Sequence, residues 1–303
     1  MTRRRITFRQ LETFAVVARH RSFSRAAAEL HLTQPAVSLQ IRQIAETLGL
    51  PLFEQHGREA TLTAAGQEML RTVRELDDVW NRFESAIADL KGLRKGSLRL
   101  AVVTTAKSFM PRMVGEFSGR YPEIAIELEI ADRERVLERL RNNLDDLYVM
   151  VYPPDDVEVI SHPFLDNQLV VVAPTSHWAA GRQIDLADIA GERFILREVG
   201  SGSRLTVNAH LVASGVKLDV RMSVNSNEAI RDLVASGVGL AVLSSHALAA
   251  NPAVDGLCVL DVRGFPLRRP WRIVHLKQKI LSLPAQAFLD QVLAFAVRLS
   301  REG

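Results

Sequence analysis

Residues 22–48 read SFSRAAAELHLTQPAVSLQIRQIAETL, and their spacing predicts two short helices meeting at a tight corner. Ser22 suits an N-cap, since its hydroxyl can accept from a free N–H of the first turn. Phe23, Ala26, Ala27 and Leu30 then recur at helical spacing. His31-Leu32 interrupts the run. Thr33 can cap a second helix with Pro35 in its first turn, where a missing N–H costs nothing. In that helix Val37, Ile41, Ile44 and Leu48 form one apolar stripe, and Gln34, Ser38 and Arg42 form an adjacent polar one. Such a helix, packed by one face and offering Gln, Ser and Arg on the other, suits the major groove of DNA. The pattern alone fits an ordinary amphipathic surface helix equally well.

Around this stretch, S-F-S-R-A-A from Ser22, L-T-Q-P-A-V-S from Leu32, L-G-L-P-L-F-E from Leu48 and L-T-A-A-G from Leu62 follow in order, with Phe14 upstream. Over residues 6–66 they resemble the winged helix-turn-helix of the LysR-type transcriptional regulators, with the helix-turn-helix motif at about 24–43. The chain departs from the family pattern at Leu39, Ile44-Ala45 and Gln55. The resemblance implies a sequence-specific DNA-binding regulator with Thr33, Gln34, Pro35, Ser38 and Arg42 on DNA. Pro51 to Leu62 reads as a small hairpin or wing flanking Gly57. Arg58 at its tip is expected on phosphate or in the minor groove, the alternative being a solvated surface arginine. Arg3-Arg4-Arg5 reads either as an arm along the DNA backbone or as a solubilising tail.

Composition is compatible with this. A chain of 303 residues, 47% hydrophobic and 24% charged, fits two or three globular domains. The net charge is only +3, yet residues 1–66 hold nine arginines and no lysine against five glutamates, a surplus of four. A basic head on a near-neutral body suits a module that meets phosphate. The single cysteine, Cys258, excludes an intrachain disulfide and is expected to be a buried structural thiol. Neither a signal peptide nor a membrane span is expected, so the protein is read as soluble and cytoplasmic.

Helix 1 is expected over Phe8 to His20, burying Phe8, Leu11, Phe14, Ala15 and Ala18. Thr63 can cap a long helix to about Leu90, in which Val73, Leu76, Trp80, Phe83, Ile87 and Leu90 alternate spacings of three and four. That heptad seam is read as a dimerisation surface on Val73, Leu76, Trp80, Phe83 and Ile87, matching the linker helix (63–91) that the resemblance implies. Gly92 and Gly96 are expected to end it. From Ser97 strands and helices alternate, which argues for a parallel sheet covered by helices. The expected strands are 98–103, 124–130, 148–151, 169–173, 194–196, 220–224, 240–243 and 271–276. The helices between them are 108–120, 133–141, 203–214 and 227–236, a further helix following 240–243, with 284–299 closing the fold. The resemblance makes 97–303 an α/β, two-lobed, periplasmic-binding-protein-like effector domain: lobe I over 97–165 and 271–303, lobe II over 166–270.

Ligands of such sheets sit outside the carboxyl ends of strands, where helix N-termini converge. Three loops qualify, and they nominate Thr104, Thr105, Lys107, Ser201, Ser203, Asn225 and Asn227 as effector-binding residues. Backbone N–H groups, helix dipoles and Lys107 favour a small anion, and no acidic cluster in these loops is expected to oppose it. Ser108, Ser203 and Asn227 also read as plain N-caps. Residues 104–111, 149–154 and 196–204 resemble the subgroup that regulates the RuBisCO and Calvin-cycle operon, although Val151-Tyr152 precedes the two prolines where a Gly-Arg pair is usual. A neutral or aromatic effector is the alternative within the family; a two-lobed solute-binding protein is the alternative outside it. No P-loop, GxGxxG, HExxH or GxSxG supports an enzyme, no metal-ligand spacing links the histidines, and no cofactor is expected. The resemblance further implies a homodimer on an interrupted palindrome, a homotetramer through effector-domain pairing, and RNA polymerase as a candidate partner.

Overall fold

The computed structural model describes residues 6–56, 59–90 and 95–302, divided into two compact units, Met1–Phe83 and Glu84–Gly303. In the first unit α1 (Phe8–His20), α2 (Phe23–Glu29) and α3 (Gln34–Leu48) precede a hairpin of β1 (Phe53–His56) and β2 (Glu59–Leu62), and α4 (Ala64–Leu90) follows. Local chemistry sets each boundary. Thr7 closes a capping box with Gln10, Ser22 accepts from the Arg25 N–H, and Thr33 accepts from the Ala36 N–H. Gly49 ends α3 at φ 73°, a left-handed conformation suited to glycine. Thr63 Oγ1 accepts from the Gly66 N–H at 3.0 Å and donates to the Pro51 carbonyl at 2.7 Å. A Cβ on Gly66 would lie 2.1 Å from the Leu52 carbonyl oxygen, so the glycine of L-T-A-A-G is required by close approach.

The core of this unit gathers Phe14, Val17, Ala26, Ala27, Val37, Ile41, Ile44, Leu52 and Val73. Three expectations change here. Helix α1 buries Thr13, Phe14, Val16 and Val17 rather than the face containing Phe8, and Phe8 is 69% exposed. Leu48 lies past the buried stretch of α3 and is 46% exposed. Val73 is only 4% exposed within its own chain, because the first turns of α4 complete the three-helix core. It therefore leaves the expected seam. Arg58, Gly57, Gly92 and the Arg3–Arg5 arm lie outside the described residues.

The second unit comprises β3 (Gly96–Val103), α5 (Met110–Arg120), β4 (Ile124–Ala131), α6 (Arg133–Arg141), β5 (Leu147–Met150), β6 (Val159–Pro174), β7 (Gln183–Ile184) and α7 (Leu186–Ile189). After these come β8 (Arg193–Arg197), α8 (Gly202–Ser214), β9 (Asp219–Val224), α9 (Asn227–Ala235), β10 (Leu240–Ser244), β11 (Leu257–Val262), β12 (Leu267–Leu276) and α10 (Leu283–Glu302). The strands order as β4-β3-β5-β12-β6-β10-β8-β9, with β11 also on β6. At one end β3 runs parallel to β4 and β5; at the other β8 runs parallel to β9 and β10. Two lobes result. One core joins Leu98, Leu100, Phe117, Leu147, Trp271 and Phe288; another joins Leu169, Val171, Phe194, Leu196, Val242 and Leu260.

Between the lobes, β6 and β12 pair antiparallel from Val159–Leu276 to Leu169–Leu267, with an irregularity at Trp271/Arg272. The strand expected at 169–173 is thus the second half of one starting ten residues earlier. Its first half mixes apolar and polar residues and is mostly only partly buried, so no continuous apolar run announces it. Two helix expectations also change. Residues Thr104–Ser108 form a 3₁₀ turn, and α5 starts at Met110 with no side-chain cap. In place of a helix, two 3₁₀ turns, Ser245–Ala247 and Pro252–Asp255, follow β10.

Candidate functional site

Helix α3 presents its N-terminal residues outward. Gln34, Pro35 and Arg42 are exposed, Ser38 is half-buried, and Val37, Ile41 and Ile44 face the core. Gln34 Nε2 donates to Ser38 Oγ at 2.9 Å, and the Thr33 hydroxyl serves as cap. Inner polar groups tie the helix to α1: Thr13 Oγ1 donates to Gln40 Oε1 at 2.8 Å, and Gln10 Nε2 donates to Gln43 Oε1 at 3.1 Å. An outward amide, hydroxyl and guanidinium are side chains of the chemical kind that can read base edges and phosphates, here on a helix tied to α1 from behind. Beyond the core, α4 exposes Trp80 by 51% and Phe83 by 54%. The Trp80 ring packs at a tilt against Phe8 (centroids 6.0 Å apart) and Phe83 (5.5 Å), forming an exposed aromatic cluster. Leu76 and Ile87 are half-buried.

The second site lies where strands β3, β4 and β8 end. Thr104, Thr105, Arg133, Tyr152, Arg197, Glu198, Ser201, Ser203 and Trp271 line a cavity of about 20 Å³ between the lobes. That is room for about one water. Arg197, 1% exposed, is the hub. Its Nη1 donates to Thr105 Oγ1 at 2.9 Å and to Asn227 Oδ1 at 2.8 Å. Its Nη2 donates to Thr104 Oγ1 at 3.0 Å, and it forks onto Glu198 through Nε (2.8 Å) and Nη2 (2.9 Å). Since Thr104 and Thr105 follow β3 in lobe I while Arg197 ends β8 in lobe II, one guanidinium links both lobes. Tyr152 and Thr206 add a second link, their hydroxyls 2.9 Å apart.

Arg133 opens α6 and lines the same cavity. Its Nη2 donates to the Tyr152 carbonyl at 3.2 Å, its Nε has no partner, and among the described residues no carboxylate is within ion-pair distance, Asp155 acting on it only from further off. Burial, with Arg141 adding to it, pushes its guanidinium below the usual arginine range. The indole N–H of Trp271, itself 1% exposed, also lacks a partner.

The nominated residues divide. Thr104, Thr105, Ser201 and Ser203 line the cavity, with Ser201 capping α8 through the Arg204 N–H. Lys107 turns away to pair with Glu228 at 3.1 Å. Together with Asn227 and Arg231 they border an adjoining pocket of about 250 Å³. Asn225 is exposed and contributes its carbonyl, 3.4 Å from Arg197. Ser226, rather than Asn227, caps α9. Glu198 and Glu228 also overturn the expectation that these loops lack opposing acid. Sequence reasoning missed Arg133, Arg197 and Trp271. Two signals were available: an arginine ending the apolar run Phe194-Ile195-Leu196, and the carboxyl end of β4, where Asp132-Arg133 opens a helix.

Residues 91–296 match the LysR substrate binding domain, and residues 8–67 match the bacterial regulatory helix-turn-helix protein, lysR family. The chain belongs to the LysR family. It is similar to the HTH-type transcriptional activator CmpR of Synechocystis sp., 45% identical over 95% of both chains. It is likewise similar to the RuBisCO operon transcriptional regulator of Acidithiobacillus ferrooxidans, 45% identical over 97% of this chain and 96% of that one. Among solved structures, the Synechocystis PCC6803 CcmR regulatory domain in complex with 2-PG is 43% identical with a TM-score of 0.64, covering 66% of this chain and 97% of that domain. This LysR-family chain is accordingly a DNA-binding transcriptional regulator. Among its described residues no helix is long and apolar enough to cross a membrane, and no group of three or more His, Cys, Asp or Glu could hold a metal ion. Cys258 donates to the Pro174 carbonyl at 3.3 Å, and burial pushes its thiol up, away from the thiolate that redox chemistry uses.

Proposed function

We propose that this regulator senses a small anionic metabolite between the two lobes and controls genes of inorganic-carbon assimilation. Arg133 carries the reading. A half-buried guanidinium without a carboxylate, lining a cleft, is costly unless a ligand supplies the charge. Thr104, Thr105, Ser201 and Ser203 would complete the site with hydroxyls. The 2-PG bound by the similar CcmR domain supports an acidic effector, and the similar RuBisCO operon regulators support the gene class. The reading is of a non-enzymatic, cytoplasmic protein.

Its working limits are a DNA-binding domain over 6–66, a linker helix over 63–91 and an effector domain over 97–303. Thr33, Gln34, Pro35, Ser38, Arg42 and Arg58 would contact DNA. Leu76, Trp80, Phe83 and Ile87 would pair two chains, setting two copies of α3 on an interrupted palindrome. Effector-domain pairing would give a homotetramer whose arrangement the ligand shifts, with RNA polymerase as the downstream partner. A ligand shifts that arrangement only by binding one form more tightly.

Thermal unfolding of the full chain with 2-phosphoglycolate tests the effector site. Binding to the folded state alone adds about 2.7 kcal/mol at a hundredfold excess over Kd, and Arg133→Met should remove the gain. Stabilisation by neutral compounds alone would overturn the anionic reading.

A further inference from the structure

Arg197 and Arg133 line the same cavity under opposite conditions. All five N–H groups of Arg197 are engaged, two of them in a parallel fork on Glu198 at 2.8 and 2.9 Å. That fork is the geometry by which an arginine grips the carboxylate or phosphate of a ligand. Arg133 has the same cationic head but no carboxylate bonded to it, only the longer-range charge of Asp155, and its Nε is unpartnered. Trp271 lines the same cavity, and its buried N–H also lacks an acceptor. An unmet buried donor costs free energy that an incoming acceptor returns. One cationic seat therefore holds an acid from the chain itself, while the other awaits one.

We infer that Glu198 is a resident competitor: its carboxylate holds the Arg197 fork that one acidic group of the effector takes over, while the effector's second acidic group meets Arg133 and the Trp271 N–H. This rests on the anionic reading of the cleft and narrows it to short metabolites with an acidic group at each end. A molecule with one acidic group can satisfy Arg133 but leaves Glu198 in place. A two-ended acid satisfies both seats, and Arg197 keeps its number of bonds through the exchange.

The loop is built for that exchange. The Glu198 side chain is 25% exposed, so its carboxylate leaves toward water rather than into a core. Val199 beside it is 82% exposed, and Gly200 turns the chain at φ 92°. The bonds from Arg197 to Thr104 and Thr105 are independent of Glu198, so the tie between lobes survives the departure. With Glu198 in place the cavity, about 20 Å³, holds about one water.

Calorimetry on the full chain tests this, with 2-phosphoglycolate as the two-ended probe and glycolate and inorganic phosphate as single-ended ones. Glu198→Gln keeps the side chain's size and one acceptor but removes the charge. It should bind 2-phosphoglycolate about tenfold more tightly, the scale of one charged hydrogen bond. Glu198→Asp, too short for the full fork, should move the same way by less, which guards against an effect peculiar to glutamine. Wild type should prefer the two-ended probe over either single-ended one, and Arg133→Met should lose binding in both backgrounds. If wild type binds 2-phosphoglycolate and neither Glu198 variant binds it more tightly, the competitor role is wrong and the anionic reading stands. If no probe binds wild type or Glu198→Gln, the anionic reading falls and takes this inference with it. If binding survives Arg133→Met but not Arg231→Met, the anion occupies the adjoining pocket and the inference is overturned.

Discussion

Helix α3 and the interlobe cavity are both built from polar side chains on a rigid frame, but they use those side chains in opposite ways. On α3 the outward groups bond within one turn or reach solvent, as Gln34 does with Ser38. In the cavity Arg197 reaches Thr104 and Thr105, which stand 93 and 92 positions away in the chain. A DNA-reading surface must keep its donors ready for a partner outside the protein. A cleft must first keep its own lobes in register, so its strongest group is already occupied.

That contrast predicts the largest mutational effect in the cavity. Arg197→Met should cost about 3–5 kcal/mol, because it strands the Glu198 carboxylate and leaves Thr104, Thr105 and Asn227 without their shared donor. Urea unfolding followed by tryptophan fluorescence would measure it, and a loss below about 1 kcal/mol would mean the hub contributes no more than a surface ion pair. Next, Trp80→Asp places a charge on the exposed aromatic cluster of α4. It should weaken association by about 3 kcal/mol and lower the mass seen in sedimentation. Val73→Ala, by contrast, should cost about 1–2 kcal/mol of folding stability at unchanged mass. The reverse pattern would restore Val73 to the dimer seam.

A smaller effect belongs to the reading helix. Gln34→Ala should remove about 1–3 kcal/mol of discrimination between specific and random DNA while leaving the salt dependence in place. Equal weakening on both DNAs in a gel shift would assign Gln34 to the backbone instead. The smallest lies at the mouth of the adjoining pocket. Its own backbone N–H, then Ser226 and Lys107, pull the Glu228 carboxyl down to about 2. A depressed acid stabilises the fold above its unfolded value, and that contribution is lost as pH falls from about 4.5 toward 2. Glu228→Gln should therefore flatten the acid limb of a stability–pH curve slightly, and an unchanged limb would remove Glu228 from it.

The same contrast explains what the sequence revealed. Helix α3, its Thr33 cap and its polar face were legible because their partners lie within four residues. Gly66 and Thr63 stood out as part of a motif, though their reason, the close carbonyl of Leu52, is tertiary. In the cleft, small hydroxyls at strand ends pointed to Thr104, Thr105, Ser201 and Ser203. The arginines that organise them did not stand out, since an arginine ending a strand reads as an exit to solvent. Trp271 read as core, which it is, and nothing local shows that its indole N–H has no acceptor. Lys107 was the opposite error: its position was found, but Glu228, 121 positions later in the chain, turns it out of the cavity.

The antiparallel pairing of β6 with β12 has a mechanical consequence. Two independent linkers would let the lobes separate, slide and rotate. Zipped together over the span from Val159 to Leu169, they become a ribbon of fixed length, stiff to stretching and to shear because either would break ladder hydrogen bonds. Torsion is the soft coordinate that remains where these two strands pair only with each other, between the β5 pairing at residues 272–274 and the β10 pairing from Leu169. Trp271 sits at the irregular step of that ribbon and in the cavity wall. If the lobes turn about that ribbon, a displacement at the cleft of a fraction of an ångström would become a wider arc at the rim of each lobe, making the cleft the short arm of a lever.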